Sequence, residues 1–212
     1  NKIIKVNGDK SLSIRWVLLD SLAEGRSKSF NLLLSEDVKA SINSIKRLGI
    51  KVKLNENFCE IHGKGLDGYK YKSNTVLNAK NSGTLGRLIL GLLVNSTKKI
   101  KLIGDKSLSK RDFKRISDPL QKFGAKFKLT KNRNLPLSIL GTTNLKPIKY
   151  YEKKGSAQCK SSVIFAALRT EGTTFIKAKK SRNHTELLCK HLKLPITLVK
   201  KRNYDLIKVK KA

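Results

Sequence analysis

Apolar positions along the chain change their spacing in a fixed order. From Ser13 to Ala23 they are dense and suit a buried helix, which Glu24-Gly25 ends. Ser29 to Leu34 reads as a strand. Ser35 then caps a helix over Asp37–Leu48, where Val38, Ile42, Ile45 and Leu48 follow helical spacing. Gly49 stops it. Lys51–Leu54 and Phe58–His62 form a short ribbon around Asn55-Glu56-Asn57.

The same order returns twice. Asn81-Ser82-Gly83-Thr84 opens a helix from Leu85 to Val94 that is apolar nearly all round and therefore buried. A strand at Ile100–Ile103 follows, then a helix from Arg111 to Phe123, Gly124, and a ribbon of Lys126–Thr130 with Leu135–Leu140. Gly155-Ser156-Ala157-Gln158 opens the third copy. Its helix is Lys160–Leu168, its strand Thr174–Ala178, its second helix Asn183–Leu192, and its ribbon Ile196–Lys200 with Asp205–Val209.

The openings fall at Lys10, Asn81 and Gly155, 71 and 74 residues apart. A period held that closely marks internal repetition. The expected fold class is α+β: three βαβαββ-type repeats (residues 10–80, 81–154 and 155–212) forming one domain, with buried parallel helices surrounded by sheets. Residues 1–9 are expected to be a strand or hinge segment, its strand at Lys2–Val6, belonging partly to a second domain.

Each small-polar cluster lies at the start of a buried helix, where the first N–H groups lack partners and the helix dipole is positive. Such ends bind phosphate and carboxylate. Lys10 and Arg15 flank the first opening, and Arg111 and Arg182 stand at the second helices of the later copies. Arginine suits these anions bidentately, and lysine acts as a point charge. Close approach of a ligand to backbone is the functional reading of Gly83.

Composition narrows the partners. With 39% hydrophobic and 29% charged residues, and no apolar run near the length of a membrane helix, a soluble cytoplasmic protein with no membrane partner is expected. The first residues lack signal-peptide features. The absence of Met suggests a removed segment or a piece of something longer. The net charge is +32, from 47 Lys and Arg against 15 Asp and Glu, which points to anions. Ten of the 47 are Arg and the lysines are spread throughout with few aromatics among them, which argues against nucleic acid. Cys59, Cys159 and Cys189 are too scattered for a disulfide framework or a zinc site. His62, His184 and His191 form no ligand set or triad, and no phosphate loop or hydrolase motif is present, so no metal is expected.

Six segments together resemble the EPSP synthase family: GDKSLSIR (Gly8–Arg15), NSGTLGR (Asn81–Arg87), GDKSLSKR (Gly104–Arg111) with Asp118-Pro119-Leu120 after it, LPLSILG (Leu135–Gly141), SAQCKS (Ser156–Ser161) and SRNHTE (Ser181–Glu186). The resemblance spans nearly the whole chain. It implies one domain of an enolpyruvyl transferase with an inside-out, barrel-like fold. It also implies transfer of the enolpyruvyl group of phosphoenolpyruvate to the 5-hydroxyl of shikimate-3-phosphate, by addition and elimination through a tetrahedral intermediate. No cofactor is implied. Carried over by motif, Lys10 would touch both substrates as an electrostatic catalyst, and Ser11 and Arg15 would hold shikimate-3-phosphate. Gly83 and Arg111 would hold phosphoenolpyruvate, with Asn81 and Thr84 shaping the loop. Ser156, Ala157 and Gln158, helped by Arg182, would bind the shikimate phosphate and ring. Glycine at position 83 matches the glyphosate-sensitive pattern.

The departures are Asp112 where the family has Pro, Lys153-Lys154-Gly155 in place of a Pro-Val-Ala-like run, and Trp16 in the first helix. The family also has a second three-unit domain supplying an aspartate base, a Lys/Glu pair and two arginines, none of whose motifs occurs here. The chain alone is therefore expected to be inactive. The alternatives are half of a UDP-N-acetylglucosamine enolpyruvyl transferase, whose Lys-Asn pair and loop cysteine do not match here, and a noncatalytic module binding anions or nucleic acid.

Overall fold

The computed structural model describes residues 7–55 and 58–212, so the strand expected at Lys2–Val6 lies outside the described residues. The chain divides into two compact units, Asn1–Tyr71 and Lys72–Ala212.

The first unit holds one repeat. Helix α1 is Lys10–Asp20, strand β1 Glu24–Phe30, helix α2 Glu36–Arg47, and strands β2 and β3 are Lys51–Leu54 and Phe58–Lys64. The strands form an antiparallel sheet in the order β1-β3-β2. Its core contains Ile14, Val17 and Leu18 of α1, Val38 and Ile45 of α2, and Cys59 and Ile61 of β3, all fully buried. Helix α2 faces this core with the predicted stripe, and Leu48 closes its end as cap.

The second unit holds two repeats. In the first of these, β4 (Thr75–Asn78) precedes α3 (Gly83–Leu92), followed by β5 (Ile100–Ile103), a 3-10 turn (Leu108–Lys110), α4 (Lys114–Lys122), β6 (Lys126–Lys128) and β7 (Leu137–Leu140). In the next, β8 (Lys149–Glu152) precedes α5 (Ala157–Ala167), β9 (Thr173–Lys179), α6 (His184–His191), β10 (Ile196–Lys200) and β11 (Tyr204–Lys210). The sheet orders are β4-β5-β7-β6 and β8-β9-β11-β10, the same arrangement twice. The pairs β4/β5 and β8/β9 are parallel, and the other neighbours antiparallel. The sheets are open, and no closed barrel occurs among the described residues, so the observed class is α+β.

Helices α3 and α5 are buried on nearly every side. Only Thr84 and Arg87 of α3, and Ala157 and Gln158 of α5, keep appreciable exposure. The two helices pack against each other in parallel: Thr84 meets Gln158, Arg87 meets Ser162, and Gly91 meets Ser162 and Phe165. Gly91 permits this closeness, since a Cβ there would lie 2.2 Å from the Ser162 carbonyl oxygen.

One boundary differs in a way that matters. Arg111 was expected to open the second helix of its repeat. It lies instead in extended backbone between the 3-10 turn and α4. The physical reason is the Asp112 carboxylate, which accepts the Lys114 N–H at 2.7 Å and restarts the helix beyond it. Asp112 thereby provides a start signal where the family has Pro.

Candidate anion-binding site

Parallel strand pairs fix where the loops go. Both strands of such a pair end at the same edge, so the two loops leaving them lie side by side and each feeds a helix N-terminus. In the second repeat these loops carry Asn81 to Gly83 and Gly104 to Arg111. In the third they carry Lys153 to Ser156 and Lys180 to Asn183.

At the start of α3, the Ser82 hydroxyl accepts the Leu85 N–H at 3.2 Å, which caps the helix. Gly83 is its first residue, and two guanidinium groups meet over it. A Cβ on Gly83 would stand 2.8 Å from Arg87 Nη1 and 2.9 Å from Arg111 Nη1. Asp105 holds the neighbouring loop: its carboxylate accepts the Leu108 N–H at 2.7 Å, and its own N–H donates to the Lys80 carbonyl at 2.8 Å. This is the same three-residue geometry in which Asp9 accepts the Leu12 N–H to cap α1. The two Gly-Asp-Lys-Ser segments are thus one capping device used twice.

Arg87 ties the two openings of the second unit together. Its Nη1 donates to Gln158 Oε1 at 2.7 Å, and Gln158 Nε2 donates to Thr84 Oγ1 at 3.1 Å. Its guanidinium stacks over the Phe113 ring at 5.3 Å. Burial lowers the pKa of Arg87, Arg111 and Arg115 lower it further by repulsion, and Cys159 and Asp112 pull the other way. The Arg87 and Arg111 charges at this helix start repel each other, and a bound anion relieves that repulsion.

The third opening is built differently. Glu152 is buried, and its carboxylate accepts the N–H of Lys154 at 3.2 Å and of Ser156 at 2.8 Å. The Ser156 hydroxyl accepts the Cys159 N–H at 3.2 Å, which leaves its own proton to donate. Ala157 and Gln158 are half-buried at the first turn. Arg182 is exposed on the adjacent loop.

In the first unit, Lys10 is half-exposed and forms a 3.6 Å ion pair with Asp37. Arg15 is buried, and its Nη1 donates to the Ser11 carbonyl at 2.8 Å. Burial also raises Asp20 to about 7, but it sits at the far end of α1 from Lys10.

Of the predicted residues, Gly83, Thr84, Arg111, Ser156, Ala157 and Gln158 gather at the paired starts of α3 and α5. Arg182 lies on the loop beside Gly155, Asn81 is exposed on the turn before Ser82, and Lys10, Ser11 and Arg15 share the first turns of α1. Sequence reasoning missed Arg87, Glu152, Lys160 and Glu186. Arg87 had a signal: it is four residues after Gly83, on the same helical face, and the only charge in an apolar helix.

Other chemistry is thin. The three cysteines form no disulfide and are buried, and no His, Cys, Asp and Glu cluster fit for a metal occurs among the described residues. No described helix is long and apolar enough to cross a membrane. The outer face of β8, β9 and β11 exposes Tyr151 and Phe175 among Lys149, Lys177 and Lys208. Lys177 lies over the Tyr151 ring at 5.3 Å and the Tyr204 ring at 4.4 Å, and Lys208 over Phe175 at 5.7 Å. These ammonium groups occupy the ring faces on which bases would stack.

Comparison with known proteins finds relatives over nearly the whole chain. A family model described as EPSP synthase (3-phosphoshikimate 1-carboxyvinyltransferase) matches residues 1–211. The 3-phosphoshikimate 1-carboxyvinyltransferase of Streptococcus mutans serotype c is 41% identical over 189 residues, 88% of this chain and 44% of the relative. That of Petrotoga mobilis is 42% identical over 194 residues, 90% of this chain and 45% of the relative. A solved EPSP synthase from Acinetobacter baumannii superposes with a TM-score of 0.90 at 32% identity, covering 99% of this chain and 47% of that one. The chain thus spans less than half the length of the curated relatives it matches.

Proposed function

This chain belongs to the EPSP synthase family, and from that premise we propose that it supplies the N-terminal half of an enolpyruvyl transferase acting on phosphoenolpyruvate and shikimate-3-phosphate. The observation that carries the proposal is the meeting of Arg87 and Arg111 over Gly83 at the start of α3. A small dianion placed there gains two guanidinium forks and the first N–H groups of a helix. Phosphoenolpyruvate, with a carboxylate and a phosphate, has that chemistry. Gly83 and Arg111 hold it, and Asn81 and Thr84 shape the loop. The α5 opening offers the Ser156 hydroxyl, the Ala157 and Gln158 backbone and the Gln158 amide, a set suited to the hydroxyls and phosphate of shikimate-3-phosphate, with Arg182 adding charge. In the first unit, Ser11 and Arg15 bind shikimate-3-phosphate, and Lys10 serves both substrates, as their motif implies.

Fixed cations stabilise the negative charge that grows in the addition step. Proton transfer needs a base as well, and the carboxylates around these openings are engaged. Glu152 accepts backbone N–H groups, Asp112 accepts the Lys114 N–H, and Glu186 pairs with Lys160. The missing base belongs to the remaining half of the family architecture, so the chain alone does not turn over.

Titration of the chain with each substrate, followed by amide shifts, tests this. Phosphoenolpyruvate is expected to move Gly83 and Thr84 signals, and shikimate-3-phosphate those of Ser156 to Gln158. Arg111→Ala is expected to abolish the first set and Gln158→Ala the second. Unchanged titrations in both variants would defeat the site assignment. Release of phosphate by the isolated chain would defeat the claim that it is half an active site.

A further inference from the structure

Inside the third repeat lies a charge pair that the binding roles above leave unused. Lys160 Nζ and Glu186 Oε1 are 2.5 Å apart, with the two side chains 0% and 1% exposed. Neither group has a hydrogen-bond partner beyond the pair among the described residues, and Glu186 Oε2 is unpartnered as well. Beside them the hydroxyls of Ser161 and Thr185 share a hydrogen bond of 2.6 Å, also buried. Adjacent residues of α5 thus grip adjacent residues of α6, one grip charged and one neutral.

Stability alone does not explain such a pair. Removing two charges from water is costly, and a buried pair replaced by well-packed apolar residues of similar volume leaves a protein about as stable or more so. A buried ion pair does fix one arrangement against alternatives, because any shift strands a charge.

The location shows which arrangement is fixed. Lys160 follows Gln158 by two residues, and its N–H donates to the Ser156 carbonyl at 3.1 Å. Glu186 is in the first turn of α6, which begins just after Arg182 and Asn183. The grip therefore joins the starts of the helices that follow both loops of the β8/β9 pair.

The second repeat sharpens the point. Its loop after β5 is held from within, by the Asp105 carboxylate on the Leu108 N–H and by the Asp105 N–H on Lys80. The matching loop after β9 has no such internal cap: Asn183 makes no side-chain cap bond, and the Ser181 hydroxyl is buried without a partner. What stands in for the cap is the grip beneath it.

We infer that Lys160–Glu186, with Ser161–Thr185, is a latch of positioning residues that holds the Arg182 segment against the start of α5 and so sets how strongly this opening binds a phosphate-bearing ligand. The inference rests on the function proposed above for the ligand, but not for the mechanical claim.

The test uses the full chain. Lys160→Met/Glu186→Leu removes both charges at similar volume, and its thermal midpoint is expected to match or exceed the parent's. Amide hydrogen exchange of residues 180–184 is expected to speed up by about tenfold, as a local opening no longer held. The dissociation constant for shikimate-3-phosphate is expected to rise by about tenfold, with no further rise when Arg182→Ala is added, because coupled residues are not additive. Parent-like exchange at 180–184 in the folded double variant would overturn the latch, as would losses that simply multiply with that of Arg182→Ala. If the double variant does not fold, Thr185→Val removes only the neutral grip at nearly constant volume. An increase of about threefold in the same exchange window supports the latch and parent-like exchange overturns it. A parent chain that binds no shikimate-3-phosphate would count against the proposed function, and the exchange result then decides the latch by itself.

Discussion

The second and third repeats share a strand order, a parallel pair and a helix that starts at the same edge, yet their openings carry charge differently. Over Gly83 the guanidinium groups of Arg87 and Arg111 meet, and Asp112, the neighbouring carboxylate, is occupied in accepting the Lys114 N–H at the start of α4. Around Ser156 the buried charges are already answered: Glu152 by two N–H groups, Glu186 by Lys160. One opening holds uncompensated positive charge for a small dianion. The other offers hydroxyl, amide and backbone groups above an internally paired base, with Lys153, Lys154, Lys180 and Arg182 exposed on the loops around it. The scaffold fixes where the groups point, and a handful of side chains decide what each opening accepts.

The largest effect that would test this contrast is on stability. Lys160→Met alone strands the buried Glu186 carboxylate and is expected to cost about 3–5 kcal/mol. Arg111→Ala removes an exposed group whose neighbours repel it, so its effect is expected within about 0.5 kcal/mol. Denaturant unfolding of the two variants checks the pair. Similar losses would mean that the openings are not built on different electrostatic plans.

Binding gives the next effect. Arg87→Met keeps the stacking volume over Phe113 but removes the charge and the bond to Gln158. A lost charge-assisted hydrogen bond is worth about 1.5–3 kcal/mol, so phosphoenolpyruvate affinity is expected to fall by about tenfold to a hundredfold. Calorimetric titration measures it. Since Arg87 also holds Gln158, a smaller loss for shikimate-3-phosphate is expected. Its absence would show that the two openings act independently.

Much of this architecture was legible in the residues. The strands Lys51–Leu54, Ile100–Ile103 and Ile196–Lys200 lie where their patterns put them, and α2 keeps its apolar stripe. The strands β4 and β8 were not legible. Each is four residues long, and each is made by parallel pairing with a strand some two dozen residues away, which leaves no local signature. The buried helices start two or three residues earlier than their apolar runs suggest, because the small-polar clusters supply the first turns. At the site, residues with motif signatures were found, and residues acting from below were not. Lys160 is one lysine among 37 in the sequence, and nothing local marks it as the one that is buried among the described residues. Its value comes from Glu186, which only the packing of α5 on α6 brings to it.

The smallest effect is the most discriminating. The first residue of α3 is Gly83, and the first residue of α5 is Ala157, each directly after a capping serine. Gly83→Ala therefore gives the second opening the side chain that the third already has. The new Cβ would crowd the flexible ends of Arg87 and Arg111 and meet Leu108 at an ordinary 3.8 Å, so stability is expected to change by about 0.5 kcal/mol or less. The guanidinium groups must give way, however, and phosphoenolpyruvate affinity is expected to fall by about threefold to tenfold, since bidentate contacts tolerate little displacement. Glyphosate, the inhibitor that the glycine pattern implies, is expected to lose more than phosphoenolpyruvate does. Ala157→Gly is the reciprocal change. It relieves no crowding, and its expected cost is about 0.5–1 kcal/mol of helix stability with ligand affinities close to the parent's. Parallel titrations of the two variants decide the matter: equal losses of affinity would mean that the space above Gly83 is not what separates the two openings.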